Sequence, residues 1–160
     1  MELAIRRDES TLVQKLLQHG AHADDVLPSG LSPVDAAASA GAIKTVDVLL
    51  NNGADPNRTT PNGTTPLEDA SLKGFDGIAG KLLDHGAPVN SVNNSSGTTA
   101  LYAAASFGKG KVVELLLKRG ADPNLCGRNR KTPFRAAVEN GYMNVADQIK
   151  AHGGTATCER

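Results

Sequence analysis

Tryptophan is absent from this chain of 160 residues, and there are only two tyrosines and three phenylalanines. A core of this size usually holds more aromatic mass. Ala, Leu and Val must fill the interior instead, which suits thin helices in stacked layers. Cysteine is almost missing too: Cys126 and Cys158 are too few for a disulfide framework, and their spacing fits no zinc pattern. No stretch approaches 18 apolar residues, so nothing reads as a membrane-spanning helix. The first ten residues, "MELAIRRDES", hold no apolar run of signal-peptide length. Net charge is zero, with 17 Lys/Arg against 17 Asp/Glu, which removes the overall basic signature of nucleic-acid binding. These absences predict an intracellular chain, cytoplasmic or nuclear, with neither membrane nor nucleic acid as partner. Asn-x-Ser/Thr triplets such as Asn57-Arg58-Thr59 are then expected to stay unglycosylated.

The zero net charge conceals a gradient. Residues 1–80 carry 6 Lys/Arg against 11 Asp/Glu, and residues 81–160 carry 11 against 6. Such an asymmetry can steer a dipolar partner, or it reflects two solvated ends that differ without functional cause.

Periodicity is what the chain has in abundance. "GADPN" occurs at 53–57 and again at 120–124, with near-copies "GAHAD" at 20–24 and "GAPVN" at 86–90 and a weaker "GGTAT" from Gly153. The glycines at 20, 53, 86, 120 and 153 are spaced by 33, 33, 34 and 33 residues, the range of a repeat array. Twelve residues after each Gly-Ala, or thirteen after Gly86, lies a second block, "SPVDAA" at 32–37, "TPLEDA" at 65–70, "TALYAA" at 99–104 and "TPFRAA" at 132–137. A glycine follows nine residues after each block begins, at 41, 74, 108 and 141. Ser or Thr before Pro is a helix start, because the hydroxyl caps and proline suits the first helical position. The glycine stops that helix in a left-handed cap. A second helix follows with apolar residues at helical spacing, such as Val46, Leu49 and Leu50 or Val113, Leu116 and Leu117. "ADPN" then forms an extended turn whose Asp and Asn bond the backbone locally.

In these blocks the chain resembles the ankyrin repeat, a turn plus two antiparallel helices in about 33 residues with a Thr-Pro-Leu-His-x-Ala signature. The resemblance covers nearly the whole chain and implies an all-α solenoid of stacked helix-turn-helix units joined by hairpin-like turns. The expected units are a partial one at 1–23, then 24–56, 57–90, 91–123 and 124–157, with a tail at 158–160. In the partial unit, Leu12, Val13, Leu16 and Leu17 fit the second helix and Ala4 the first. There are departures. The signature histidine is replaced by Asp35, Glu68, Tyr102 and Arg135; Ala100 stands in place of proline; and Asp69 occupies a normally apolar position. One residue is inserted within "NSVNNSSG", which lengthens one hairpin.

No catalytic, metal or cofactor site is expected. His19, His85 and His152 each precede the glycine that ends a second helix, where positive charge is favourable. Equivalent positions in neighbouring units lie about 8–10 Å apart, too far for one zinc ion, and His22 does not complete a ligand set. "GKGKVVE" at 108–114 and "GFDGIAGK" at 74–81 lack the spacing of phosphate-binding loops; Gly77 and Gly80 weaken a helix or let it pack closely. Cys126, with basic neighbours, reads as an incidental loop thiol or a reactive one.

The resemblance implies a protein or peptide partner held along the concave face by the hairpin tips and first helices of a monomer. Carried onto this chain, the partner-binding residues are Asp35, Glu68, Asp69, Tyr102, Phe107, Arg128, Arg130, Lys131 and Arg135. The alternative role is an internal structural module of a larger protein. Asn57 and Asn124 each follow a Leu at −8 and an Asp at −2. That pattern resembles the context hydroxylated in many ankyrin repeats by an iron-dependent asparaginyl hydroxylase; an Asn that braces the turn explains it without any enzyme and is the favoured reading.

Overall fold

A computed structural model describes residues 1–127 and 130–158, and ten α-helices lie among them. The first helices of the pairs are α1 (Glu2–Arg6), α3 (Pro33–Ala40), α5 (Pro66–Lys73), α7 (Ala100–Ser106) and α9 (Pro133–Glu139). The second helices are α2 (Ser10–Gln18), α4 (Ile43–Asn51), α6 (Asp76–Asp84), α8 (Gly110–Lys118) and α10 (Met143–Ala151). None exceeds nine residues, too short to hold in water alone, so packing must stabilise them.

The caps form where the blocks place them. The hydroxyls of Ser32, Thr65, Thr99 and Thr132 accept from the backbone N–H of Asp35, Glu68, Tyr102 and Arg135, each at 3.1 Å. Those four residues are therefore structurally equivalent as well as aligned. First helices stack on first helices and second on second, and each pair closes on itself. Between the two rows lie Ile5, Val13, Val34, Val46, Leu49, Leu67, Leu82, Leu101, Leu116 and Ile149, essentially without solvent exposure. Alanines 36–38 and 103–105 keep the first helices thin enough to approach.

The inter-helix glycines answer to the next unit. A Cβ on Gly41 would lie 3.0 Å from Phe75, one on Gly74 2.9 Å from the Lys109 stem, and one on Gly108 2.4 Å from Tyr142. Each of those three residues follows the stopping glycine of its own unit. Gly77 serves the helix contact instead, since a Cβ there would meet Ile43 at 2.7 Å; its bare backbone lets α6 close on α4.

Two features stand apart from the sequence reading, and a third adds to it. Leu12 lies in α2 as expected but is 44 % exposed. Cys126 is no free thiol: the tail folds back and places its sulfur in a disulfide with Cys158, Cα–Cα 6.0 Å. The tail is also held by Thr132 Oγ1, which donates to the Thr155 carbonyl, and by Asn124, whose Oδ1 accepts from the Thr155 N–H at 2.9 Å. The three histidines end their helices by donating from Nδ1 to the carbonyl four residues back, at 2.7 Å (His19), 2.9 Å (His85) and 3.0 Å (His152).

Candidate protein-binding face

Four hairpin tips alternate with the first helices. In each, a backbone N–H reaches across the turn: Leu27 to Leu31 and Thr60 to Thr64 (both 2.9 Å), Asn93 to Thr98 (2.8 Å) and Gly127 to Lys131 (3.2 Å). The third tip holds the inserted residue. Asn93 organises it from within, its Oδ1 accepting from the N–H of Ser95 at 2.9 Å and Ser96 at 3.1 Å.

The four equivalent signature positions then diverge. Asp35, expected to be presented on this face, is 2 % exposed, and neither of its oxygens has a hydrogen-bond partner. Burial, reinforced by the charge of Asp69 and opposed by that of Lys73, pushes its carboxyl up to about 7. Glu68 is also buried, but its carboxylate reaches the next hairpin. Asn93 Nδ2 donates to it at 2.9 Å and Thr98 Oγ1 at 2.5 Å. Tyr102 is half-buried, and Arg135 is exposed.

Asp69, half-buried, pairs with Lys73 at 3.3 Å, and this ion pair accommodates a carboxylate where the repeat usually has an apolar residue. Phe107 caps α7 and is 53 % exposed rather than packed away. Arg130 is exposed. Lys131 and Arg135 converge on Glu139, at 2.5 and 2.8 Å. Those two cations hold the Glu139 carboxyl below its ordinary value, through hydrogen bonds first and charge second. Glu139 divides the basic end, four residues from Arg135 on one helix. Arg128 lies outside the described residues.

Asn57 and Asn124 share a motif and differ in surroundings. Each N–H donates to the preceding Asp, Asp55 or Asp122, at 2.8 Å. The Asn124 amide also bridges to Gly153 and Thr155. The equivalent bridge from Asn57 would need the N–H of residue 88, which is proline, and Asn57 is exposed.

Among the described residues no group of three or more His, Cys, Asp or Glu is placed to hold a metal, and no helix is long and apolar enough to cross a membrane.

A stack of capped helix pairs with protruding hairpins defines a helical repeat solenoid. The family description "Ankyrin repeats (3 copies)" matches residues 1–93 and 81–158, and the chain belongs to the ankyrin-repeat family. It is similar to human SH3 and multiple ankyrin repeat domains protein 2, 37 % identical over 65 residues, which is 41 % of this chain and 4 % of that protein. It is also similar to the mouse B-cell lymphoma 3 protein homolog, 35 % identical over 69 residues, 42 % of this chain and 15 % of the relative. Mouse tRNA endonuclease ANKZF1 shares 39 % identity over 56 residues, 35 % of this chain and 8 % of that enzyme. The matches thus span small parts of much longer proteins. Ankyrin repeats are in general protein-interaction modules, and the family is typically non-catalytic.

Proposed function

We propose that this chain is a non-catalytic interaction module that binds a protein or peptide through its hairpin tips and the adjoining first helices. The observation that carries the reading is the repeated cap: four equivalent positions, Asp35, Glu68, Tyr102 and Arg135, follow capping hydroxyls on stacked helices. Their side chains differ from unit to unit, and Tyr102 and Arg135 reach the surface, which suits recognition of a partner. Aromatic and arginine side chains are the usual energetic anchors, which favours Tyr102, Phe107 and Arg135, with Arg128, Arg130 and Lys131 at the basic end. The units are taken as 1–23, 24–56, 57–90, 91–123 and 124–157, acting as a monomer inside the cell, with neither nucleic acid nor membrane as target. The Cys126–Cys158 disulfide speaks against a reducing cytosol or nucleus, so the oxidation state of that pair in cells tests the compartment.

A second reading, an internal structural module of a larger protein, is favoured by the small share of the relatives that the match covers. Capture of partners by the isolated chain separates the two. In surface-plasmon kinetics with a captured partner, Tyr102→Ala should speed dissociation by an amount equivalent to about 2 kcal/mol or more. Arg135→Glu should chiefly slow association and flatten its salt dependence. Unchanged rates in both variants, with binding abolished by Glu114→Lys on α8, would place the partner on the other face.

A further inference from the structure

Asp35 and Glu68 occupy the same place in consecutive units, yet only one of the two carboxylates is satisfied. Glu68 spans to the next hairpin and bonds Asn93 and Thr98. The residues equivalent to those two, one unit earlier, are Thr60 and Thr64, as the matching cross-turn bonds show. Asp35 is one methylene shorter. Both threonine hydroxyls are already acceptors, Thr60 Oγ1 from the Thr64 N–H at 3.1 Å and Thr64 Oγ1 from Asn93 Nδ2 at 3.4 Å. What Asp35 fails to span remains open. A gap of about 360 Å³ lies between the first hairpin, α3, the second hairpin and α5, lined among others by Leu31, Asp35, Ser39, Thr60, Pro61 and Asp69.

We infer that this gap receives a lysine or arginine side chain of the bound protein, an inference that rests on the docking face proposed above. Two carboxylates line the gap, and one of them is buried with no partner of its own, a cost that a proton offsets at low pH and a cationic donor offsets above it. Leu31 and Pro61 supply apolar walls for an aliphatic stem. The chain itself shows that the rim accepts an ammonium: Lys73 Nζ donates to the Ser39 carbonyl at 2.7 Å and to Ser39 Oγ at 2.5 Å and pairs with Asp69, without bonding Asp35. An anion would face both carboxylates. An apolar group would leave Asp35 unpaired.

Binding should be coupled to a proton. With its carboxyl at about 7, Asp35 holds a proton over much of the neutral range and must release it to pair with a cation. The charges acting on it are Asp69 and Lys73 of α5. On α1, Glu2 is tied to Arg6 and accepts from the Ser29 N–H; on α4, Asp47 is tied to Lys81, and Lys44 lines a different cleft. Affinity for a cation should therefore rise with pH through 7.

The test is an NMR titration of the full chain with N-acetyl-arginine methylamide, and with the citrulline analogue as the neutral isostere. At pH 8.5 the arginine probe should produce saturable shifts at Ser39, Thr60 and Thr64 and lower the Asp35 midpoint. Binding should be at least several-fold weaker at pH 5.5, and citrulline should do nothing. Asp35→Asn should abolish the response. Asp35→Glu keeps the charge but fills the gap as Glu68 does, and should abolish it as well. No saturable shift at pH 8.5, or undiminished binding by Asp35→Glu, overturns the inference. If a captured partner is lost by Tyr102→Ala with Arg135→Glu yet kept by Asp35→Asn, the docking face stands and the cation pocket falls.

Discussion

Replacing Asp35 by asparagine is expected to stabilise the chain, and by more at high pH than at low. The carboxyl sits at about 7 in the folded state against an ordinary 3.8. Between those values the folded chain keeps a proton that the unfolded chain has lost, so the slope of stability with pH from this group is negative. Its contribution is best below pH 3.8 and worsens as pH rises, levelling off above 7. At 1.36 kcal/mol per pKa unit, the cost is on the order of 1–2 kcal/mol at pH 5 and about 4 kcal/mol at pH 8. The wild-type chain should thus lose about 2–3 kcal/mol relative to Asp35→Asn across that window. The unbonded amide of asparagine carries its own desolvation cost, roughly 1–3 kcal/mol, but that cost is the same at both pH values and cancels in the difference. The histidines are common to both proteins. Glu2, Glu114 and Glu139 are held low by hydrogen bonds to cations and act oppositely, losing their contribution as pH falls below the carboxylate range, outside the window. Urea unfolding followed by helical circular dichroism at pH 5, 6.5 and 8 measures the quantity. An equal difference at all three, or a wild type that gains on the variant as pH rises, would refute the account of Asp35.

Leu116 is fully buried, and Leu116→Ala should cost about 2–5 kcal/mol in the same unfolding assay. Gly108→Ala should cost more than Gly53→Ala: both glycines have positive φ (66° and 84°), worth about 1–2 kcal/mol to a side chain, but only at Gly108 does the new Cβ run into a ring, that of Tyr142. If an asparaginyl hydroxylase acts on this chain, Asn57 should be modified well ahead of Asn124, whose amide is engaged by Gly153 and Thr155. Mass spectrometry of the two peptides after incubation with the enzyme checks the order, and preferential modification of Asn124 would contradict it.

The elements were legible because their signals are local. A hydroxyl three residues before an N–H, a glycine just beyond a helix end and a histidine four residues after a carbonyl are all fixed by short-range geometry, and Ser32, Thr65, Thr99, Thr132 and the three histidines behave accordingly. Alignment also located the lengthened hairpin, though not that Asn93 would hold it together. The candidate site was less legible because the fate of its side chains depends on what stands about 30 residues away. Aligned positions put Asp35 and Glu68 on the presented face, but whether a carboxylate stays there is decided by the next hairpin's donors and by one methylene of reach. The Cys126–Cys158 bond was hidden for the same reason, since it depends on the path of a tail that departs from the repeat.

Long-range polar bonds have a further consequence for how the units are joined. On the hairpin side the cross-unit bonds are of two kinds. One runs from turn to turn: Asp24 to the Asp55 N–H at 3.0 Å, and Asn90 to that of Asp122 and Asn124 to that of Thr155, both at 2.9 Å. The other runs from a signature side chain to the next hairpin, as Glu68 does. At the junction where Asp35 falls short, the turn bond from Asp24 is present. At the following junction Pro88 has no N–H to offer Asn57, and there the longer Glu68 makes the hairpin bond. Each of these junctions thus keeps a polar link on its hairpin side, beside helix-to-helix links such as Lys81–Asp47 and Arg119–Asp84, while its apolar surfaces supply most of the adhesion, which in a stacked array is a nearest-neighbour term. The arrangement explains how Asp35 can stand unpaired without separating its unit from the next. It also accounts for the open gap beside Asp35, whose shorter side chain does not span to the next hairpin as that of Glu68 does.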